Sequence, residues 1–442
     1  MKNNLKNIGS EIINHTIEAV TPANIMRQNI QYSKPVLKIR DKKYNLDVFD
    51  RVFVVGAGKA SAFMALELEK ILGDRISGGV VVVKYGHGAP CKKVRIKEAG
   101  HPVLDENGLN ATKEILELLK KTTERDLVFC LISGGGSALL ESLPPDISLS
   151  EMMETAETML KSGATINEFN IIRKHLSLVK GGGLARNIAP SRGISLVISD
   201  VIGDPLDIIA SGPTYPDGST FQEAWQILEK FDLLNRIPAS VRRRIQEGLE
   251  GKIPENLKEG DPIFERIDHV IIGNNERAVE AAAEKAAEMG FQPVILTTML
   301  EGEAKEVGLV LATIAREIID RQRPFQPPVC LICGGETTVT FEKGGKGGRN
   351  QELAVSVLQY LKNSPGYLFF SVGTDGTDGP TDAAGGLADA GVYRRALELE
   401  LAPEKFLKAH DTYHFLEKTG GLIKTGPTGT NVMDVMAMLI EK

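Results

Sequence analysis

The densest set of groups able to do chemistry lies late in the chain. It is Gly373-Thr374-Asp375-Gly376-Thr377-Asp378-Gly379-Pro380-Thr381-Asp382-Ala383-Ala384-Gly385-Gly386, with Asp389 just beyond. Carboxylates at this density repel one another unless a cation neutralises them. Hard oxygen donors beside hydroxyls suit Mg²⁺ carrying phosphates, and glycines let backbone come close to a ligand. The same residue types also form solvated turns. The spacing is not that of an EF-hand loop.

Similar loops recur along the chain. Gly56-Ala57-Gly58-Lys59 opens like a dinucleotide fingerprint, but the acidic residue expected about 20 positions on is replaced by Lys84. It is not a Walker A loop either, because Phe53 and Ala60 occupy the first glycine and the hydroxyl positions. What remains is Lys59 at a helix N-terminus, where amides and the helix dipole favour a phosphate or carboxylate. Ser133-Gly134-Gly135-Gly136-Ser137 follows a buried-strand pattern. Its successive amides make an anion-binding nest, and it lacks the G-x-S-x-G order of a nucleophile elbow. Asp200 and Asp204 flank another turn and can serve as a base, as metal ligands or as helix caps. Gly334-Gly335-Glu336-Thr337 and Gly347-Gly348-Arg349-Asn350 bracket an expected hairpin. Arg349 begins a helix, an unfavourable place for a cation unless an anion is near, which suits it to a transferring phosphoryl group. His101, before Pro102, reads as a site or turn residue, and His175 reads as solvent-facing.

Strands and helices must position these loops. Arg51–Val55, Gly79–Val83, Leu127–Ile132 and Ile194–Ser199 read as buried strands, with Val94–Glu98 leading into the helical Asn107–Lys121, so that strands, loops and helices alternate. That alternation predicts a mostly parallel sheet with helices on both faces. Residues from about Asn235 to Pro262 read as a charged passage between domains. The pattern then restarts with His269–Gly273, Pro293–Leu296, Val329–Cys333, Thr337–Phe341 and Tyr367–Val372 as strands, and a terminal helix after Thr425–Asn431. The expectation is therefore an α/β protein of two α/β domains. Residues 1–262 form a Rossmann-like N-terminal domain and 263–442 a C-terminal one, with the active site in the interdomain cleft.

The totals narrow the class. At 442 residues with 42% hydrophobic and 25% charged residues the chain reads as globular, and its net charge of -6 argues against a general nucleic-acid binder. No apolar run approaches a membrane span, and no signal-peptide core is seen, so a cytoplasmic location is expected. Four cysteines point to a reducing compartment. Cys330-x-x-Cys333 lies in an apolar run without a second pair, a poor zinc or redox motif.

Taken together the loops resemble the type II glycerate kinase family, whose C-terminal portion is the MOFRL domain, here about 325–435. The matching stretches are GAGKAS, GHPVLDENG, LISGGGSALL, IIRKHLSLVKGGGLA, SDVIGDPLDIIASGPT, CGGETTVT, GGRNQE, GTDGTDGPTDAAGG and TGPTGTNVMD, from Gly56 to Asp434. The resemblance implies transfer of the ATP γ-phosphoryl group to D-glycerate with Mg²⁺, to give 2-phosphoglycerate, with 3-phosphoglycerate as the alternative product. It implies catalytic roles for Lys59, Arg349 and Asp200. Substrate or phosphate would meet Ser133, Gly134, Gly135, Gly136, Ser137, Lys180 and Asn350. Nucleotide would meet Thr374, Gly376, Thr428 and Asn431, and metal would meet Asp204, Asp375 and Asp378. A competing expectation is a hydroxypyruvate reductase, which needs a nicotinamide site that Lys84 disfavours. Expected partners are the small-molecule substrate and, where the chain self-associates, a second copy in a homodimer.

Overall fold

The computed structural model describes residues 5–340 and 344–441. Among the described residues fifteen strands form three sheets. A small antiparallel meander comprises β1 (Ile30–Ser33), β2 (Val36–Ile39) and β3 (Lys42–Asn45). The first large sheet contains β4 (Arg51–Ala57), β5 (Ile76–Lys84), β6 (Val94–Ala99), β7 (Asp126–Ile132), β8 (Arg192–Ile198) and β9 (Ile267–Gly273). Their spatial order is β6-β5-β4-β7-β8-β9, with parallel register from β6 through β8. Counted along the chain this is the order 3-2-1-4-5-6 of a Rossmann-like sheet, and it reverses between β4 and β7.

The second large sheet contains β10 (Gln292–Leu300), β11 (Val329–Gly335), β12 (Tyr367–Gly373), β13 (Gly385–Asp389), β14 (Leu422–Ile423) and β15 (Asp434–Ile440), in the order β10-β11-β15-β12-β13-β14. Only β10 and β11 pair in parallel; the remaining pairs are antiparallel. The terminal segment expected to be helical is thus a strand, wedged between β11 and β12 with every residue buried. An apolar run of that length carries no period that separates a strand buried on both faces from a buried helix. The expected hairpin also fails to form. Thr338 makes a single bridge to Glu303, Thr337 and Thr340 are outside any strand, and Phe341 lies outside the described residues.

By internal contacts the chain divides into two compact units, Ile25–Ile272 and Met1–Asn24 with Gly273–Lys442. In the first unit the sheet core gathers β4, β5, β7 and β8 around Val55, Val80, Val128, Cys130 and Val197. A second cluster joins helices Leu149–Lys161, Ile166–His175, Phe221–Lys230 and Ala239–Leu249 through Met159, Phe169, Phe221 and Val241. The segment read as an interdomain passage contributes that last helix, where Gly248 leaves room for the Phe221 ring. In the second unit the helix Leu5–Ala19 buries Ile12 and Ile13 and packs on the helix Asn275–Glu288 and on β12.

Candidate active site

The reversal between β4 and β7 places two glycine-rich loops side by side, where open α/β sheets bind ligands. The loops are bonded to each other. The Lys59 amide donates to the Gly134 carbonyl at 2.8 Å, and the Ser133 amide donates to the Ala57 carbonyl at 3.2 Å. Ser133 Oγ accepts from the Ala60 amide at 3.0 Å and lies 3.1 Å from Ser61 Oγ. Gly58 is required here, because its φ is 137° and a Cβ would overlap Ser133. Ser133 itself is buried, so it clamps the two loops together.

The next three glycines are occupied spaces. A Cβ at Gly134 would overlap the Asp200 carboxylate, and one at Gly135 would lie 2.9 Å from the His101 ring and 3.5 Å from Lys59 Cγ. One at Gly136 would press on Ala210 at 2.7 Å. Lys59, Asp200 and His101 therefore converge on the side-chain-free Gly134–Gly135 turn. Ala210, Ser211 and Gly212 all have positive φ (52°, 62° and 59°), a conformation unfavourable for the first two. This strained turn, which its sequence alone marks only as a turn, fixes Ala210 against Gly136 and puts Ser211 Oγ 2.8 Å from Ser137 Oγ. The Ser137 carbonyl accepts from Arg173 Nη2 at 2.7 Å.

The electrostatics of this corner favour an anion. Burial, then the Lys59 and Lys84 ammoniums, holds the His101 imidazole down to about 4, so it is neutral at pH 7. Burial also lowers His87, with Lys84 and Lys59 adding to the effect. Sequence reasoning missed Lys84 and His87 as neighbours of Lys59. Asp204 lies on the Asp200 loop with φ 56°, its amide donating to the Val201 carbonyl at 3.1 Å. Lys180 stands apart from these groups. Its ammonium is fully buried, 2.6 Å from Glu141 Oε2 and 2.9 Å from the Leu140 carbonyl, and burial lowers it to about 8. It is an internal strut. His175, read as solvent-facing, is also buried, with Nδ1 2.8 Å from the Ile171 carbonyl and its ring edge-on to Phe221.

In the other unit, helix Arg349–Leu361 organises the polar groups. Its first two interior amides, from Asn350 and Gln351, donate to the Asp378 carboxylate at 3.1 and 2.9 Å, and Gln351 Nε2 donates at 2.8 Å. Asp378 is thus turned inward as a cap. Burial raises it to about 6 in spite of these donors, with the Asp434 charge adding to the rise. Asn350 is buried and accepts from Ser371 Oγ. Arg349 grips Asp434 with two bonds, Nε to Oδ2 at 2.5 Å and Nη2 to Oδ1 at 3.0 Å, while Nη1 lies 2.6 Å from Glu336. Burial works against the guanidinium charge, yet the Asp434 bond and the Asp434 and Glu336 charges raise its pKa. Asp434, the fully buried first residue of β15, is a neighbour of Arg349 that sequence reasoning missed.

The remaining predicted residues knit two loops together. Thr374 Oγ1 donates to the Met433 carbonyl at 2.7 Å and accepts from the Val432 amide at 2.9 Å, and Thr428 Oγ1 donates to the Thr374 carbonyl at 2.6 Å. Gly376, φ 83°, leaves room for the Gly426 carbonyl, and Asn431 Oδ1 accepts from the Met433 amide at 3.1 Å. Asp375 Oδ1 accepts from the amide and hydroxyl of Thr377, both at 2.9 Å. Asp375 and Asp378 therefore point to different partners. Among the described residues no three His, Cys, Asp or Glu side chains gather to hold a metal ion. The donor set fits Mg²⁺ carried on phosphates, which needs one or two carboxylates, and does not fit an all-protein cage. Cys330 and Cys333 are free and buried, and burial raises both thiols, Cys333 to about 12.

Residues 9–246 match a family described as a domain of unknown function, DUF4147, and residues 329–434 match the MOFRL family. The chain is 45% identical over 437 residues to a protein of Pyrococcus horikoshii named glycerate 2-kinase, covering 99% of this chain and 97% of that one. It is 42% identical over 437 residues to a Thermotoga maritima protein named D-glycerate 2-kinase, covering 99% and 98%. A relative in Agrobacterium vitis, 40% identical over 88% of this chain and 87% of its own length, carries a provisional hydroxypyruvate reductase name. A crystal structure titled glycerate kinase from Thermotoga maritima superposes with a TM-score of 0.88 at 42% identity, covering 99% of each chain.

Proposed function

Since the chain belongs to the type II glycerate kinase family and is thus a glycerate kinase, we propose that it transfers the γ-phosphoryl group of ATP to the C2 hydroxyl of D-glycerate. The observation that carries the assignment of residues is the meeting of Lys59 and Asp200 at the side-chain-free Gly134–Gly135 turn. Phosphoryl transfer needs positioning and charge neutralisation more than covalent chemistry. Lys59 binds the glycerate carboxylate or the transferring phosphate, and Asp200 accepts the proton of the attacking hydroxyl. Arg349, to which the family resemblance assigns a catalytic role, is held in place by Asp434 and Glu336. Thr374, Gly376, Thr428 and Asn431 shape the loops that receive the nucleotide. Mg²⁺ bound to the phosphates would take Asp375 as its protein ligand and supply neutralisation of the β- and γ-oxygens. The four unpaired cysteines suit an enzyme of the cytoplasm. Lys84, ending β5 where a nicotinamide enzyme places a ribose-binding carboxylate, gives the reductase reading no support.

The test is ³¹P NMR of the protein with D-glycerate, ATP and Mg²⁺. A new phosphomonoester coupled to one proton is expected, which places phosphate on C2. Coupling to two protons moves it to C3, and ATP left intact at saturating substrate overturns the assignment. Lys59→Ala is expected to lower kcat/KM by about a hundredfold or more at unchanged stability; full turnover would remove Lys59 from the site.

A further inference from the structure

The parallel sheet has a second open end. At the amino ends of β4, β5 and β6, away from the Lys59 and Ser133 loops, lies a cavity of about 720 Å³ between the strands and the helix Glu106–Leu119. That volume is within the range of small-molecule sites. Five cations line it, Arg51, Lys93, Arg95, Lys113 and Lys121, against two carboxylates, Glu114 and Glu117, a surplus of three positive charges.

The cations are not equivalent. Arg51 is held by Asp126 at 2.7 and 2.9 Å and donates to the Lys121 carbonyl at 2.9 Å, so it forms part of the wall. Arg95 shares Glu114 with Lys97, and Lys93 reaches the exposed Asp74 at 3.1 Å. Glu117, one helical turn from both Lys113 and Lys121, feels their charges but bonds to Lys120 at 2.7 Å, and among the described residues neither ammonium forms an ion pair of its own. Gly78 opens the floor, because a Cβ there would meet nothing within 4 Å. Beside it Phe53 supplies an aromatic surface, with the Arg51 guanidinium 5.1 Å from the ring centroid.

We propose that this cavity is a second ligand site, separate from the catalytic corner, for a small phosphorylated organic molecule. Clustered cations with ammoniums not already committed to carboxylates match a multiply charged phosphate group, and the Phe53 floor matches an apolar or planar body attached to it. The catalytic corner handles a carboxylate and a phosphate beside a base; this cavity contains cations and an aromatic floor, and the only lining acids are on its helix wall. It is therefore suited to binding and not to turnover. It does not depend on the identity of the enzyme's own substrate.

Inorganic pyrophosphate is the probe, titrated by calorimetry into the full-length protein. Wild type is expected to bind it at millimolar concentration or below. Lys59→Ala is expected to retain a binding event of similar affinity, whereas Lys113→Glu/Lys121→Glu weakens that event by about tenfold or more and leaves basal turnover unchanged. Lys113→Gln/Lys121→Gln, which removes charge without placing new acids near Glu117, is expected to weaken it by a smaller factor. Loss of all binding in Lys59→Ala, full binding in both double variants, or no binding to wild type overturns the proposal.

Discussion

Burial, more than residue type, separates groups that act on a ligand from groups that hold the protein together. Lys180 and Glu141 are each 1% exposed and pair at 2.6 Å. Lys180→Met leaves the buried Glu141 charge without its counter-ion, held only by the Ser177 hydroxyl and the Ser142 amide, and is expected to cost about 3–5 kcal/mol in denaturant unfolding. Adding Glu141→Leu should restore most of that stability with turnover retained; turnover lost in the double variant would return Lys180 to the site. Asp378 gives a pH signature. Its folded pKa of about 6 lies above the unfolded 3.8, so the folded state holds the proton more tightly. Its stabilising contribution is complete below about pH 4 and is lost as pH rises through 6, by on the order of 3 kcal/mol. Asp378→Asn is expected to flatten that part of the stability profile, as measured by urea midpoints from pH 4 to 7. Lysine and glycines at strand ends made Lys59 and the Ser133–Ser137 loop legible in sequence. Lys84 and His87 were not, because their approach to Lys59 is a tertiary fact. The inward turn of Asp378 was not legible either, since a capping carboxylate and a ligand-binding one have the same sequence.

At the scale of elements, the two loops leaving β4 and β7 behave as one latched unit. Gly58→Ala must push on Ser133 from a backbone conformation alanine rarely adopts, and is expected to cost at least about 2 kcal/mol and to lower activity with it. The checks are a denaturant midpoint and kcat/KM; an unchanged midpoint would show that the latch yields. The parallel strands β4, β5, β7 and β8 were legible because each is a short apolar run that ends in a glycine-bearing loop. β15 was not. Its methionines, alanine and leucine favour helix, and only the partners β11 and β12 on both edges make it a strand. That misreading hid Asp434, whose position at the strand's first residue is what lets it meet Arg349.

At the scale of the molecule, residues near the amino end belong with those near the carboxyl end. Helix Leu5–Ala19 packs on β12 and on Asn275–Glu288, with Gly9 allowing the Leu368 side chain to approach and Lys6 3.4 Å from Asp389. Ile12→Ala is expected to destabilise this unit by about 2–4 kcal/mol. Hydrogen exchange should accelerate in β12 and Asn275–Glu288 while β4, β7 and β8 keep their protection; equal acceleration in both sheets would mean that the units unfold together. The same layout bears on biosynthesis. On the ribosome Ile25–Ile272 can complete its sheet as soon as it emerges, whereas helix Leu5–Ala19 must wait with Ile12 and Ile13 uncovered. The other sheet gains its middle strand, β15, only after its five other strands have been translated, so helix Leu5–Ala19 stays uncovered through the synthesis of all of them.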